Sequence, residues 1–279
     1  MLYGRVVRAV CCAVACGLLW TGCSGASAGG PDGRDGGSEP PRRPSAGGTE
    51  SGGPGPKPSG SSAPAAFVPD PARIPRTAAA AAKLVDAVLA GPELWGPGYV
   101  RRTPFLSAPG YWPVLDEKCV WQSGSRPSDV LHTRTSYSEL PAAAGKGPIR
   151  VAATVTVHRT GPDAEWEMAE TLEEALRCPG QKLRDGERIS GLLSIGRVFG
   201  SGGNFTAEDS IGELGRYHND AFGKAAYEYA WYQSRIGQVT IATVTKGAKG
   251  HSEDEINNAR AEAMTGMVVR AEKQLEAAE

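Results

Sequence analysis

The sequence predicts an α+β domain: a twisted antiparallel β-sheet packed with α-helices and held by one disulfide. Three observations carry that reading. Apolar residues alternate with polar ones over several short runs, which is the period of half-buried strands. Two amphipathic stripes each begin at a capping box, Thr160/Asp163 and Ser252/Glu255, the mark of helix starts. No βαβ repeat appears, so the strands pair antiparallel and the helices pack on the sheet.

Taken in order, residues 1–22 read as a lipoprotein signal peptide. Arg5 and Arg8 precede an apolar run from Val10 to Trp20, and Thr21-Gly22 places two small residues directly before Cys23. Bacterial lipoproteins use a cysteine in this position to receive a diacylglycerol, so Cys23 is the candidate lipidation site; an ordinary cleaved signal peptide is the rival reading. The run is short of the about 20 apolar residues that span a bilayer. Residues 23–66 then form a tether. From Ser24 to Pro64, 28 of 41 residues are Gly, Ser or Pro, and such a segment has too little to bury to offset its ordering entropy. Its root-mean-square span is on the order of 35 Å.

Residues 67–279 read as one extracellular α+β domain, with 24 basic against 27 acidic side chains. A slightly negative surface carries no basic footprint, which argues against a nucleic-acid partner. Cys119 and Cys178 are an even pair in an exported chain and predict a disulfide. The closed loop of nearly 60 residues is worth about 4 kcal/mol in the chain-entropy account.

Thr77 to Ala90 reads as a first helix, capped by Thr77 and stopped by Gly91-Pro92. Glu93 to Val120 reads as an irregular loop, because Trp95, Tyr99, Phe105, Tyr111 and Trp112 stand among many Pro and Gly residues. Such aromatics either wall a ligand site, with Tyr99, Tyr111 and Trp112 as candidates, or plug the open end of a core. Val130 to Tyr137 and Ile149 to Val157 read as strands. The next helix opens at Thr160, turns Met168, Leu172, Ala175 and Leu176 inward, and ends at Cys178-Pro179-Gly180. Trp166 falls on its outer face, a candidate partner contact, with Glu170, Glu173 and Arg177.

Arg188 to Ile195 reads as a strand, followed by a Gly-rich connection and a short helix near Thr206 to Leu214. Ala226 to Ser234, with Tyr227, Tyr229 and Trp231 on one face, and Val239 to Val244 form a hairpin about Gly237. The terminal helix carries Ile256, Ala263, Met264, Met267, Ala271 and Leu275 as its apolar stripe. Arg260 lies within that stripe, snorkelling or ion-paired.

The run Leu-Ala-Gly-Pro-Glu-Leu-Trp-Gly-Pro-Gly-Tyr at 89–99, the strand-to-helix segment from Val155 to Cys178 and the hairpin Gly-Gln-Val-Thr-Ile at 237–241 before a terminal helix together resemble actinobacterial surface lipoproteins. More distantly they resemble the extracellular sensor domain of PknH-like receptor kinases. The resemblance implies a sensor-like role. Those sensor domains carry two disulfides around a cleft; this chain has cysteines for one, and no binding residue transfers.

Catalytic motifs are absent from the sequence. Gly191-Leu-Leu-Ser194-Ile-Gly196 misses nucleophile-elbow spacing by one position. His132, His158, His218 and His251 make no metal-binding pair, and Glu173-Glu174 reads as a solvated helix face. No catalytic residue, metal or cofactor is expected, and a hydrolase with dispersed catalytic groups is the remote alternative. The expectation is a membrane-anchored, non-catalytic ligand-binding lipoprotein on the extracytoplasmic face of the cell membrane. The alternative is an envelope module that contacts another protein or the cell wall.

Overall fold

Helix α1 (Ala78–Val88) starts where Thr77 Oγ1 accepts from the Ala80 N–H, and a single 3₁₀ turn (Pro92–Leu94) follows it. The strands come next: β1 (Val100–Leu106), β2 (Tyr111–Leu115), β3 (Trp121–Ser125), β4 (Val130–Leu140) and β5 (Ile149–His158). Helix α2 (Gly161–Arg177) interrupts them before β6 (Gln181–Arg184), β7 (Glu187–Arg197), β8 (Asp209–Asn219), β9 (Ala226–Ile236) and β10 (Val239–Lys246). Helix α3 (Glu253–Leu275) closes the domain. The computed structural model describes residues 67–197 and 207–277, so Cys23, the tether and the Gly-rich connection lie outside the described residues. Among the described residues no helix is long and apolar enough to cross a membrane.

Eight strands form one curled antiparallel sheet in the order β1-β4-β5-β10-β9-β8-β7-β6. Register irregularities in β1, β4, β6 and β7 mark where extra residues bend it. Gly191 takes φ +60 at the break in β7, a conformation that side chains with a Cβ rarely adopt. This strand geometry explains the Gly-x-x-Ser-x-Gly run.

Strand β5 shows how the faces divide. Ile149, Val151, Ala153, Val155 and Val157 are buried, and they join Val239 and Ile241 of β10 in the main core. Helices α1 and α3 pack on this convex face through Ala81, Leu84, Val85 and Val88, and through Ile256, Ala263, Met267, Ala271 and Leu275. Both expected capping boxes form, at Thr160/Asp163 and Ser252/Glu255. Arg260 does not snorkel at a helix end: it is buried, with its guanidinium 3.9 Å from the Tyr232 ring centroid.

Helix α2 lies on the opposite, concave face. A smaller apolar cluster, Ala175, Ile189, Leu192, Tyr217 and Tyr229, packs beneath it. The inward stripe of α2 differs from the one expected from the sequence. Ala164, Met168 and Ala175 point inward, whereas Leu172 and Leu176 are exposed, Leu176 by 73 %. At 100° per residue Leu172 falls about 60° and Leu176 about 100° from the mean direction of Ala164, Met168 and Ala175, both to the same side. The polar Glu167 and Thr171 occupy the inner side instead.

Two further expectations change. The segment Glu93–Val120, expected to be irregular, holds β1 and β2. Pro104 is tolerated because β1 is the outer strand of the sheet, and Pro113 because β2 belongs to a two-stranded hairpin with β3. The segment Thr206–Leu214, expected to be a short helix, runs into strand β8. Its Gly212 lets the Tyr232 ring of β9 approach, since a Cβ there would stand 3.0 Å from that ring. Strand β6 has no counterpart in the sequence reading, because four residues, Gln-Lys-Leu-Arg, carry too little periodicity to register.

Cys119 and Cys178 are bonded, with an S–S distance of 2.06 Å. The bridge ties the start of β3 to the end of α2 beside β6. The Lys182 N–H donates to the Cys119 carbonyl at 2.8 Å, and Trp121 Nε1 donates to Gln181 Oε1 at 2.8 Å. The β2–β3 hairpin therefore connects one outer strand, β1, to the other, β6, across the concave side.

Candidate functional site

The concave face, α2 and the hairpin enclose a cleft of about 470 Å³. Residues from both outer strands line it: Arg102, Thr103 and Pro104 of β1, and Gln181, Leu183 and Arg184 of β6. The floor comes from side chains that alternate with the convex core, including Tyr137 of β4, Arg150, Ala152 and Thr154 of β5, and Val244 and Lys246 of β10. Tyr111, Pro113 and Trp121 close it from the hairpin, and Thr171 and Glu174 from α2.

One end is cationic around a single buried carboxylate. Glu187, 5 % exposed, meets Arg150 Nη1 at 2.9 Å and Lys246 Nζ at 3.3 Å, and pairs with Arg184 as well. Asn219 Nδ2 donates to it at 3.2 Å. Burial pushes the Glu187 carboxyl up, but the Arg184 hydrogen bond and the neighbouring cations outweigh it and hold the carboxyl below its usual range. Arg102 reaches the same end and pairs with Glu139 at 3.5 Å. Four cations thus face two carboxylates. Burial pulls the Lys246 ammonium down to about 8, against the opposing pull of Glu187. Arg150 Nε is buried without a hydrogen-bond partner.

The other end is acidic and aromatic. Glu213 of β8, 7 % exposed, stands directly across from Trp231 of β9, and Tyr229 is two residues along the same face. Burial, reinforced by the charge of Glu174, pushes the Glu213 carboxyl up to about 8. Burial, reinforced by Glu170, pushes Glu174 up to about 7. Two buried polar atoms here have no partner within the protein, Glu213 Oε1 and Trp231 Nε1. Arg177, whose charge reaches Glu174, is turned to Glu173 and to the Leu115 and Asp116 carbonyls.

Beside the cleft, α2 is fastened by polar contacts. Glu167 accepts from Gln233 Nε2 and from Thr240 Oγ1, each at 2.8 Å, and pairs with the buried His158. Thr171 Oγ1 meets Gln233 Oε1 at 2.8 Å.

The expected site residues are divided by this arrangement. Tyr111 lines the cleft. Tyr99 packs against the α1–α3 core, its ring 6.4 Å from that of Trp95. Trp112 alternates with Tyr111 and Pro113 along β2 and is not among the lining residues. Trp166 is 67 % exposed on α2, well outside the cleft. Glu173-Glu174, expected to be solvated together, separate: Glu173 is exposed, whereas Glu174 is half-buried in the cleft wall. Reasoning from sequence missed Glu174, Glu187, Glu213, Arg150 and Lys246. The available signal was charge at inward strand positions, as at Lys246 two residues after Val244.

The remaining histidines are scattered. His218 Nε2 and Ser190 Oγ lie 2.8 Å apart, and His251 Nε2 and the Gly147 carbonyl 2.9 Å apart. Among the described residues no group of three or more His, Cys, Asp or Glu side chains is placed to hold a metal ion. Comparison with protein-family models, with curated proteins and with solved structures found no match.

Proposed function

We propose that this is a lipid-anchored protein of the extracytoplasmic membrane face whose domain binds a small molecule in the cleft without transforming it. The observation that carries the reading is the cleft itself. Aromatic rings, charges of both signs and three partnerless buried polar atoms, Arg150 Nε, Glu213 Oε1 and Trp231 Nε1, meet in one cavity. A buried polar group left without a partner costs about 1–3 kcal/mol, which a ligand supplying that partner recovers. The anchor half of the proposal rests on Arg5, Arg8, the apolar run and Thr21-Gly22 before Cys23. Kinship with the PknH-like sensor domains is part of the same proposal, on the residue patterns at 89–99, 155–178 and 237–241.

The test is to extract the full-length protein from membranes of its own host and weigh it denatured and native. A denatured mass equal to a diacylglyceryl-modified chain beginning at Cys23 is expected, together with a species retained in the native spectrum. Tyr111→Ala should reduce the retained species and Trp112→Ala should keep it. An unmodified mature chain removes the anchor, and an empty native spectrum removes the ligand.

The exposure of Trp166 favours a second reading, contact with an envelope protein or cell-wall polymer, because large aromatics anchor interfaces. Trp166→Glu should then abolish recovery of the partner; unchanged recovery counts against it.

A further inference from the structure

We infer that the cleft takes an extended zwitterion of about tripeptide length, its protonated amine at Glu213 and Glu174 and its acid at Arg150, Arg184 and Lys246. This rests on the ligand-binding reading above and assigns the chemistry of that ligand. The two ends differ in what they lack. At the acidic end two carboxyl groups line the wall, Glu213 is more than nine-tenths buried, and its Oε1 accepts no hydrogen bond. The nearby Arg177 is committed elsewhere. An ammonium donates up to three hydrogen bonds, and the face of Trp231 beside Glu213 suits a cation. At the other end the cations outnumber the carboxylates, and Arg150 Nε is buried with no acceptor. A carboxylate or comparable acid supplies the missing acceptor and charge.

The strand register sets the spacing. Glu213 pairs with Trp231, and Trp231 with Val244, two residues before Lys246. Two strand spacings and two residue rises put the Cα atoms of Glu213 and Lys246 about 12 Å apart. An extended tripeptide spans about 10–11 Å. Between the poles Val244 and Ala152 offer an apolar floor, which suits small uncharged groups in the middle of the ligand.

Calorimetric titration of the full-length protein in detergent with tri-L-alanine, its N-acetyl form and its C-terminal amide tests the assignment. Tri-L-alanine should bind, and each capped form should bind at least tenfold more weakly. Glu213→Gln should cost tenfold for the free tripeptide and the amide yet leave the acetylated form unchanged. Lys246→Met should weaken the free tripeptide and spare the amide. Equal affinity for all three probes overturns the zwitterion. So does absence of binding by every probe once the co-purified species has been dialysed from the cleft, an outcome that leaves the ligand-binding reading intact. No probe binding together with an empty native spectrum removes both. The capped probes act on the unmodified protein, so the assignment stays testable if either variant misfolds.

Discussion

The two faces of the sheet are built from the same strands and have opposite characters. On the convex side, every second residue of β5 is apolar and, with Val239 and Ile241 of β10, meets α1 and α3 in a closed core, while Thr243 and Thr245 continue the same side of β10. On the concave side, the intervening residues include Arg150, Thr154, Thr156, His158 and Lys246 beside Ala152, Ala242 and Val244, yet Thr156 and His158 are buried as deeply as Val151. Alternation along a strand says which residues share a face. It does not say whether the polar face meets water or a roof. Here α2 and the β2–β3 hairpin cover it, so charges that would be solvated on an open sheet are enclosed and must find partners in each other or in a ligand.

The strongest way to break the contrast is to loosen the roof. Replacing Cys119 and Cys178 by serine should cost about 4 kcal/mol at most in urea unfolding, from the loop entropy returned to the unfolded chain. Amide exchange should rise first in β2, β3 and β6 while β5 and β10 stay protected. Uniform exchange across both faces would show that the hairpin does not act as a separate cover.

A probe of the convex side is Ile241→Ala, which leaves a void between the sheet and α3. Its loss should be about 3 kcal/mol. Thr154→Ala on the other face of the neighbouring strand should cost less than about 1 kcal/mol. Comparable losses would mean that the cleft face is packed as tightly as the core.

The acidic end offers a test by pH. The carboxyls of Glu213 and Glu174 are pushed up to about 8 and about 7. The folded protein therefore holds protons that the unfolded chain has released. Their burial costs nothing below the ordinary carboxyl range near pH 4.5, and the cost grows as pH rises to about 8. Glu213→Gln should accordingly leave Tm unchanged at pH 4 and raise it by about 5 °C at pH 8.5. A difference that stays flat with pH would place the carboxyl in contact with solvent.

The smallest effect belongs outside both faces. Trp166→Glu should change stability by less than about 0.5 kcal/mol, because the indole covers little of the fold. A larger loss would show that the indole packs against neighbouring residues.

Much of this was legible from the residues. The capping hydroxyls and carboxylates of Thr160/Asp163 and Ser252/Glu255 act within one turn of chain, and the Gly237 hairpin within a few residues, so local chemistry determined them. The cysteine pair followed from counting, and the valine alternation of β5 from its period of two. What failed were segments whose conformation depends on distant partners. Strand β1 contains a proline and stands only because β4 accepts it as an outer strand, and β8 carries two glycines between β7 and β9. The cleft belongs to the same class. Glu213, Glu187, Arg150 and Lys246 come from four strands spread over nearly 100 residues, and sheet register alone brings them to one wall. The α+β class, the helix starts, the hairpin and the disulfide were readable from the residues alone, since each rests on contacts within an element or on residue chemistry. The curl, the roof and the charge arrangement of the cleft came from long-range packing, because burial depends on what packs above a residue, and here α2 and the β2–β3 hairpin reach it from distant parts of the chain.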